Sequence, residues 1–386
     1  MMEQLYDQRR IFGLDLMRAL AITMVLVGHC GWIFPGDQGL ILQLMSLSGY
    51  LGVEIFFVLS GFLIGKILYQ MFIKGDFRTD SVLLFLKRRW FRTLPNYYLI
   101  LIVNLIIAFY IGYKIDGAWR YFFFLQNFAT PMLPFFTESW SLSIEEFAYL
   151  VLPFTLFLSA SIIRSRRKTR HFVLVISCLL LLFLGNKFYY HYQTFNNDIN
   201  YWNISLKSVV IYRLDAIFIG VLCSCLYSRY RNFWKQTRML WCMIGIFMLS
   251  FLAVGVGSLG LFISEYPFFW NVIYLPMTSI TVALFLPVLS EWQDEHRVIR
   301  IPVTFISLIS YSVYLLHYGV VLQLMHYHFD IMTMNAAGLV FFTTTYFVVT
   351  IVLSYLLYRF YEKPMTDRRE SAIKANLERF FPLRRP

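Results

Sequence analysis

Arg18 and His29 stand in one apolar stretch, LDLMRALAITMVLVGHC, with ten residues between them. On an α-helix eleven steps bring two side chains to within about 20° of the same face and about 16 Å apart along the axis. Further ionisable residues interrupt other oily runs. GVEIFFVLSGFLIGKIL carries Glu54 and Lys66, and ESWSLSIEEFAYLVLPF carries Glu145 and Glu146. YRLDAIFIG holds Arg213 and Asp215, and ISYSVYLLHYGVV holds His317. Histidine with carboxylates suits general acid–base chemistry or proton conduction. A fourth run, FLKRRWFRTLPNYY, packs Lys87, Arg88, Arg89 and Arg92 together, and guanidinium forks of that kind pair with phosphate oxygens.

The elements that carry these residues are membrane helices. Hydrophobic residues make up 59% of the 386, charged residues 15%, and the mean hydropathy is +0.61. A soluble chain of this length needs far more charge to cover its surface. Basic clusters at Arg9–Arg10, Lys74–Arg92, Arg164–Arg170, Arg229–Arg238, Arg297–Arg300 and Arg359–Arg385 alternate with connections poor in cations, among them Lys114–Thr137 and Lys187–Lys207. That alternation predicts an all-α polytopic membrane protein of about ten helices with both termini in the cytoplasm. The expected spans are 11–33, 48–71, 93–113, 141–163, 172–190, 206–228, 239–258, 270–290, 304–328 and 337–360. They form one transmembrane domain, 1–365, followed by a short basic cytoplasmic tail, 366–386.

The net charge of +12 is then mostly an orientation signal with contact to anionic membrane lipids. Nucleic-acid binding is not expected, because no folded basic module is visible. The five cysteines lack metal-site spacing, so neither a metal centre nor a disulfide framework is expected.

With the N-terminus inside, His29, Glu54, Glu145, Arg213, Asp215 and His317 fall at similar depths in the outer leaflet. Arg18 and Lys66 fall toward the cytoplasmic side. An intramembrane arginine costs about 2.5–3.5 kcal/mol on insertion scales, so matched depths on separate helices point to a polar cavity. Bland alternatives stand beside each assignment. Arg18 could snorkel, Arg213 could pair structurally with Asp215, and His317 could be a satisfied core histidine. The outermost histidines, His326 and His328, read as interface residues.

The same stretches resemble the membrane acyltransferase 3 family. Arg18 and His29 with ten residues between them match its hallmark pair. FFVLSGFLIG, FLKRRWFRTLP, ESWSLSIEEFAYL, YRLDAIFIG, YSVYLLH and RFYEKP then follow in order. One departure is Phe147–Ala148, where the family usually has a glutamine and an aromatic residue. The resemblance implies an acyl-CoA donor, usually acetyl-CoA, at the cytoplasmic face of a bacterial inner membrane. It also implies a carbohydrate or glycolipid acceptor at the outer face. On that basis His29 is the expected base and Glu145 the residue that orients or charges its imidazole. Arg18, Lys66, Arg88, Arg89 and Arg92 are the donor-binding group. Glu54, Arg213, Asp215 and His317 are candidates for binding the acceptor or the thioester carbonyl. A proton-coupled transporter or flippase for a lipid-linked sugar is the alternative.

Overall fold

A computed structural model describes residues 10–34, 39–75, 77–163, 165–195 and 198–367. Among these, ten helices are long and apolar enough to cross a bilayer. They are α1 (Phe12–Ile33), α2 (Leu40–Lys74), α3 (Thr79–Ile111), α4 (Ser139–Ile162), α5 (Lys168–Gln193), α6 (Val210–Arg229), α7 (Arg238–Ser258), α8 (Phe269–Glu291), α9 (Arg297–His328) and α10 (Ala336–Asp367). No strand occurs among the described residues. The chain is a multi-pass helical membrane protein. The tail expected from residue 366 lies, from 368 onward, outside the described residues.

Most spans fall where hydropathy placed them, and the differences share one cause. α2, with 35 residues, and α3, with 33, are longer than the spans predicted for them. At 1.5 Å per residue α2 runs about 52 Å, well beyond a hydrocarbon core of about 30 Å. Hydropathy registers only the part inside the lipid. The basic run Lys87–Arg92 is therefore helical, within the first half of α3, rather than a loop before it.

α2 packs against α1 on one side and α6 on the other, and α1 also contacts α9. The α2–α6 crossing is very close. A Cβ on Gly61 would lie 1.9 Å from the Ile217 carbonyl oxygen, and one on Gly220 would lie 2.1 Å from that of Val58. Only glycine lets two helix backbones meet at this distance. α7 and α10 sit at the edge, with 17% of each apolar window buried, and they present Phe247 and Phe341 outward. These faces suit lipid, whereas α1, α2, α4, α6 and α9 enclose the polar groups.

Five stretches widen into π-helix, at Asn203–Lys207, Phe251–Gly255, Phe269–Tyr274, His317–Leu322 and Tyr358–Glu362. π-turns concentrate at functional sites. The one that opens at His317 lies in the middle of α9.

Candidate functional site

Among the described residues, two of the cavities lie toward opposite ends of the helices. The first, of about 110 Å³, sits toward the ends of the helices joined by basic connections, here called the basic side. α1 contributes Arg18 to its wall, α3 contributes Arg89 and Arg92, α4 contributes Glu145 and Tyr149, and α2 contributes Ser60. The second, of about 220 Å³, opens toward the opposite side. Aromatic rings dominate its wall, with Trp32, Tyr113, Phe136 and Tyr318, and Thr137, Gln323 and His326 supply polar atoms.

Arg18 is positioned rather than snorkelling. Its Nη1 donates to Asp15 Oδ1 and to Ser307 Oγ, both at 3.1 Å. Asp15 is also held by Arg10 at 2.8 Å. Arg89 lies 5.8 Å from the Tyr149 ring, and Arg92 reaches the same cavity. The expected donor-binding group is only partly assembled, however. Arg88 is absent from the cavity wall, since it points about 100° away from Arg89 around α3. Lys66 sits 5.2 Å over the Tyr227 ring, where α2 meets α6, and does not join the arginines.

His29 lies between the two cavities. Its Nδ1 is 2.9 Å from the Val25 carbonyl oxygen and 3.2 Å from Nε2 of His317. The Tyr318 ring, which lines the opposite-side cavity, is 4.9 Å from the His29 ring. The Tyr314 ring, which lines the basic-side cavity, is 5.8 Å from that of His317. His317 is fully buried, and His29 is partly exposed.

Several expected pairings are replaced by others. Glu145 does not orient His29. It accepts a hydrogen bond from the Tyr149 hydroxyl at 2.9 Å, and Ser60 in turn donates to Tyr149 at 2.9 Å. Glu138, one position before α4, is the acidic residue at the level of the histidines. Its Oε1 accepts from the Gly319 amide at 2.8 Å. Seven helical steps lie between Glu138 and Glu145, about 10 Å, which carries Glu145 down to the arginines.

Glu54, Arg213 and Asp215 are likewise not open to an acceptor. Glu54 is paired with Arg213 and accepts from Ser279, and all three are buried. Asp215 pairs with Lys187 rather than with Arg213. Lys187 had marked the edge of an outer connection, but it is fully buried within α5. A buried ion pair of this kind persists because either charge alone would be far costlier.

The sequence reading passed over Glu138 although it heads ESWSLSIEEFAYL. It also passed over Tyr149 and Lys187. The lone lysine inside an apolar run was the available signal for the last of these. His326, read as an interface residue, lines the opposite-side cavity.

A family model described as an acyltransferase domain matches residues 11–359. The O-acetyltransferase OatA of Staphylococcus aureus is 24% identical over 399 residues, covering 95% of this chain and 59% of that protein. The peptidoglycan O-acetyltransferase OatA of Listeria monocytogenes is 29% identical over 164 residues, 38% of this chain and 24% of that protein. The chain thus spans well under two thirds of the length of these relatives. No solved structure matches.

Proposed function

The chain belongs to the acyltransferase 3 family, whose model it matches almost from end to end, and on that premise we propose that it is an integral-membrane O-acyltransferase. In this reading the donor is acetyl-CoA at the basic side, which faces the cytoplasm. The acceptor is a carbohydrate hydroxyl presented from the opposite side, as the name of the Listeria relative, a peptidoglycan O-acetyltransferase, suggests for that protein.

The observation that carries the reading is the position of His29 and its partner between a cationic cavity and an aromatic one. Arg18, Arg89 and Arg92 supply the charge that a nucleotide phosphate needs on one side. Aromatic faces with scattered amide, hydroxyl and imidazole groups suit a sugar ring on the other. His29 removes the proton of the attacking hydroxyl. The new C–O bond forms at the thioester carbonyl, the C–S bond breaks, and the CoA thiolate leaves with the proton that His29 took. Arg18, rigidly held by Asp15 and Ser307, carries a charge that favours the donor's phosphates.

Inverted membrane vesicles given acetyl-CoA labelled on the acetyl group test this. Wild type is expected to pass label to extractable glycan. His29→Ala should lose about 10²–10⁴-fold in rate, the usual worth of a general base. Full activity of that variant at matched protein would overturn the assignment. Absence of both label transfer and donor binding in wild type would favour the proton-coupled transporter instead.

A further inference from the structure

We propose that His317 is the positioning residue of this centre: it holds the proton of His29 on Nδ1, leaves Nε2 bare to act as the base, and shares the charge that His29 acquires. The proposal rests on the reading of His29 as the base. The same contact accounts for the π-helical turn at His317.

A carbonyl oxygen accepts and never donates. His317 Nδ1 is 2.8 Å from the Tyr314 carbonyl oxygen and 3.2 Å from that of Val313. That nitrogen therefore carries a proton. In the neutral ring the lone pair is then on Nε2, which is the atom facing His29 Nδ1 at 3.2 Å. An acceptor there requires His29 Nδ1 to be the donor. The Val25 carbonyl, 2.9 Å from the same Nδ1, makes the same demand independently. One N–H is thus shared between two acceptors, and the lone pair of His29 is left on Nε2.

When His29 Nε2 takes a proton from the acceptor hydroxyl, the imidazolium needs a partner at Nδ1. His317 Nε2 stands there. Its own Nδ1–H is anchored on two backbone carbonyls, so charge passed to it remains solvated by the helix. This is the work that a buried carboxylate does behind the histidine of a serine hydrolase, here done by a neutral ring.

The backbone is built to make this contact. Where the ladder of α9 passes from α to π spacing, one carbonyl is left over at the junction. Nδ1 of His317 uses a carbonyl at that junction. The widened turn is pinned from two sides. Glu138 Oε1 accepts from the Gly319 amide, and a Cβ at Gly319 would lie 2.4 Å from Asn104 Oδ1 and 2.8 Å from Glu138 Oε1. A larger residue at 319 would push the ends of the Asn104 and Glu138 side chains aside.

Two measurements test the proposal on protein in lipid nanodiscs. The first is the ring nitrogen spectrum of ¹⁵N-histidine protein, with His29 assigned by loss of its signals in His29→Gln. Wild type should show His29 protonated at Nδ1 and bare at Nε2, and His317→Phe should shift the Nδ1 resonance, because one of the two acceptors of that N–H is lost. A wild-type proton on Nε2, or a spectrum unchanged in His317→Phe, would overturn the proposal, the latter because Val25 alone would then suffice. This readout requires no turnover, so it stands apart from the success or failure of the acyltransferase reading.

The second is steady-state acetyl transfer. His317→Phe should lose at least about tenfold in kcat, with donor KM unchanged. His317→Gln, whose amide both accepts from His29 and donates to the carbonyls, should recover part of it. Wild-type kcat in His317→Phe, or no recovery in His317→Gln, would count against the role. Glu138→Gln keeps an acceptor for Gly319 and should retain more kcat than Glu138→Ala. Equal loss in the two would remove the pin from the account.

Discussion

At the scale of single residues, Asp15 decides what Arg18 is able to do. It is held by Arg10 and shares Arg18 with Ser307, so the guanidinium has one place to be. Asp15→Ala should release it and raise donor KM by about tenfold or more, in line with about 1.5–3 kcal/mol for a hydrogen bond to a charged group. Titration of acetyl-CoA against initial rate checks this, and an unchanged KM would assign Arg18 a purely structural part. Residue types were well legible in the sequence. Arg18, His29, Arg89, Arg92 and His317 all line or adjoin the two cavities. Partners were not legible. Depth along the membrane normal is one coordinate, and pairing also depends on how each helix is rotated about its own axis. Glu145 was read as level with His29 but lies about two turns of α4 nearer the basic side, while helix rotation gave Glu54 to Arg213 and Lys187 to Asp215.

At the scale of helices, the close crossing of α2 and α6 sets the frame in which Glu54 meets Arg213. Gly220→Ala would drive a methyl group against the Val58 carbonyl. It should destabilise the protein by about 1–3 kcal/mol, the usual cost of overpacking. Gly257→Ala, with nothing within 4 Å of its new Cβ, is the matched control and should leave the thermal unfolding midpoint unmoved. The Lys187–Asp215 pair ties α5 to α6. Lys187→Met leaves a buried carboxylate alone and should cost about 3–5 kcal/mol, and adding Asp215→Asn should restore most of it. Thermal unfolding of the single and double variants in detergent decides whether the two residues act as a unit. Element number was readable because apolar runs and basic connections alternate. Element length was not, because α2, α3 and α9 continue past the lipid and polar residues there still favour helix.

At the scale of the whole molecule, ten crossings would put both ends of the described chain on one side. The concentration of arginine and lysine there predicts that this side is the cytoplasm. A membrane-impermeant thiol reagent applied to intact cells should label Asp116→Cys, in the connection before α4, and spare Lys235→Cys, between α6 and α7, in a background without native cysteines. Labelling of Lys235→Cys alone would invert the topology and with it the donor side. Both positions are exposed, so access rather than burial is read. The wide turn from His317 to Leu322 has a meaning on a longer timescale as well. A π-turn is a helix that has absorbed one surplus residue while its two ends stay seated. Deleting one residue there is the change that would let α9 close into an unbroken α-helix. The machinery around His29 would thereby be tied to one insertion, the kind of change by which a membrane helix gains or loses chemistry without changing its place in the bundle.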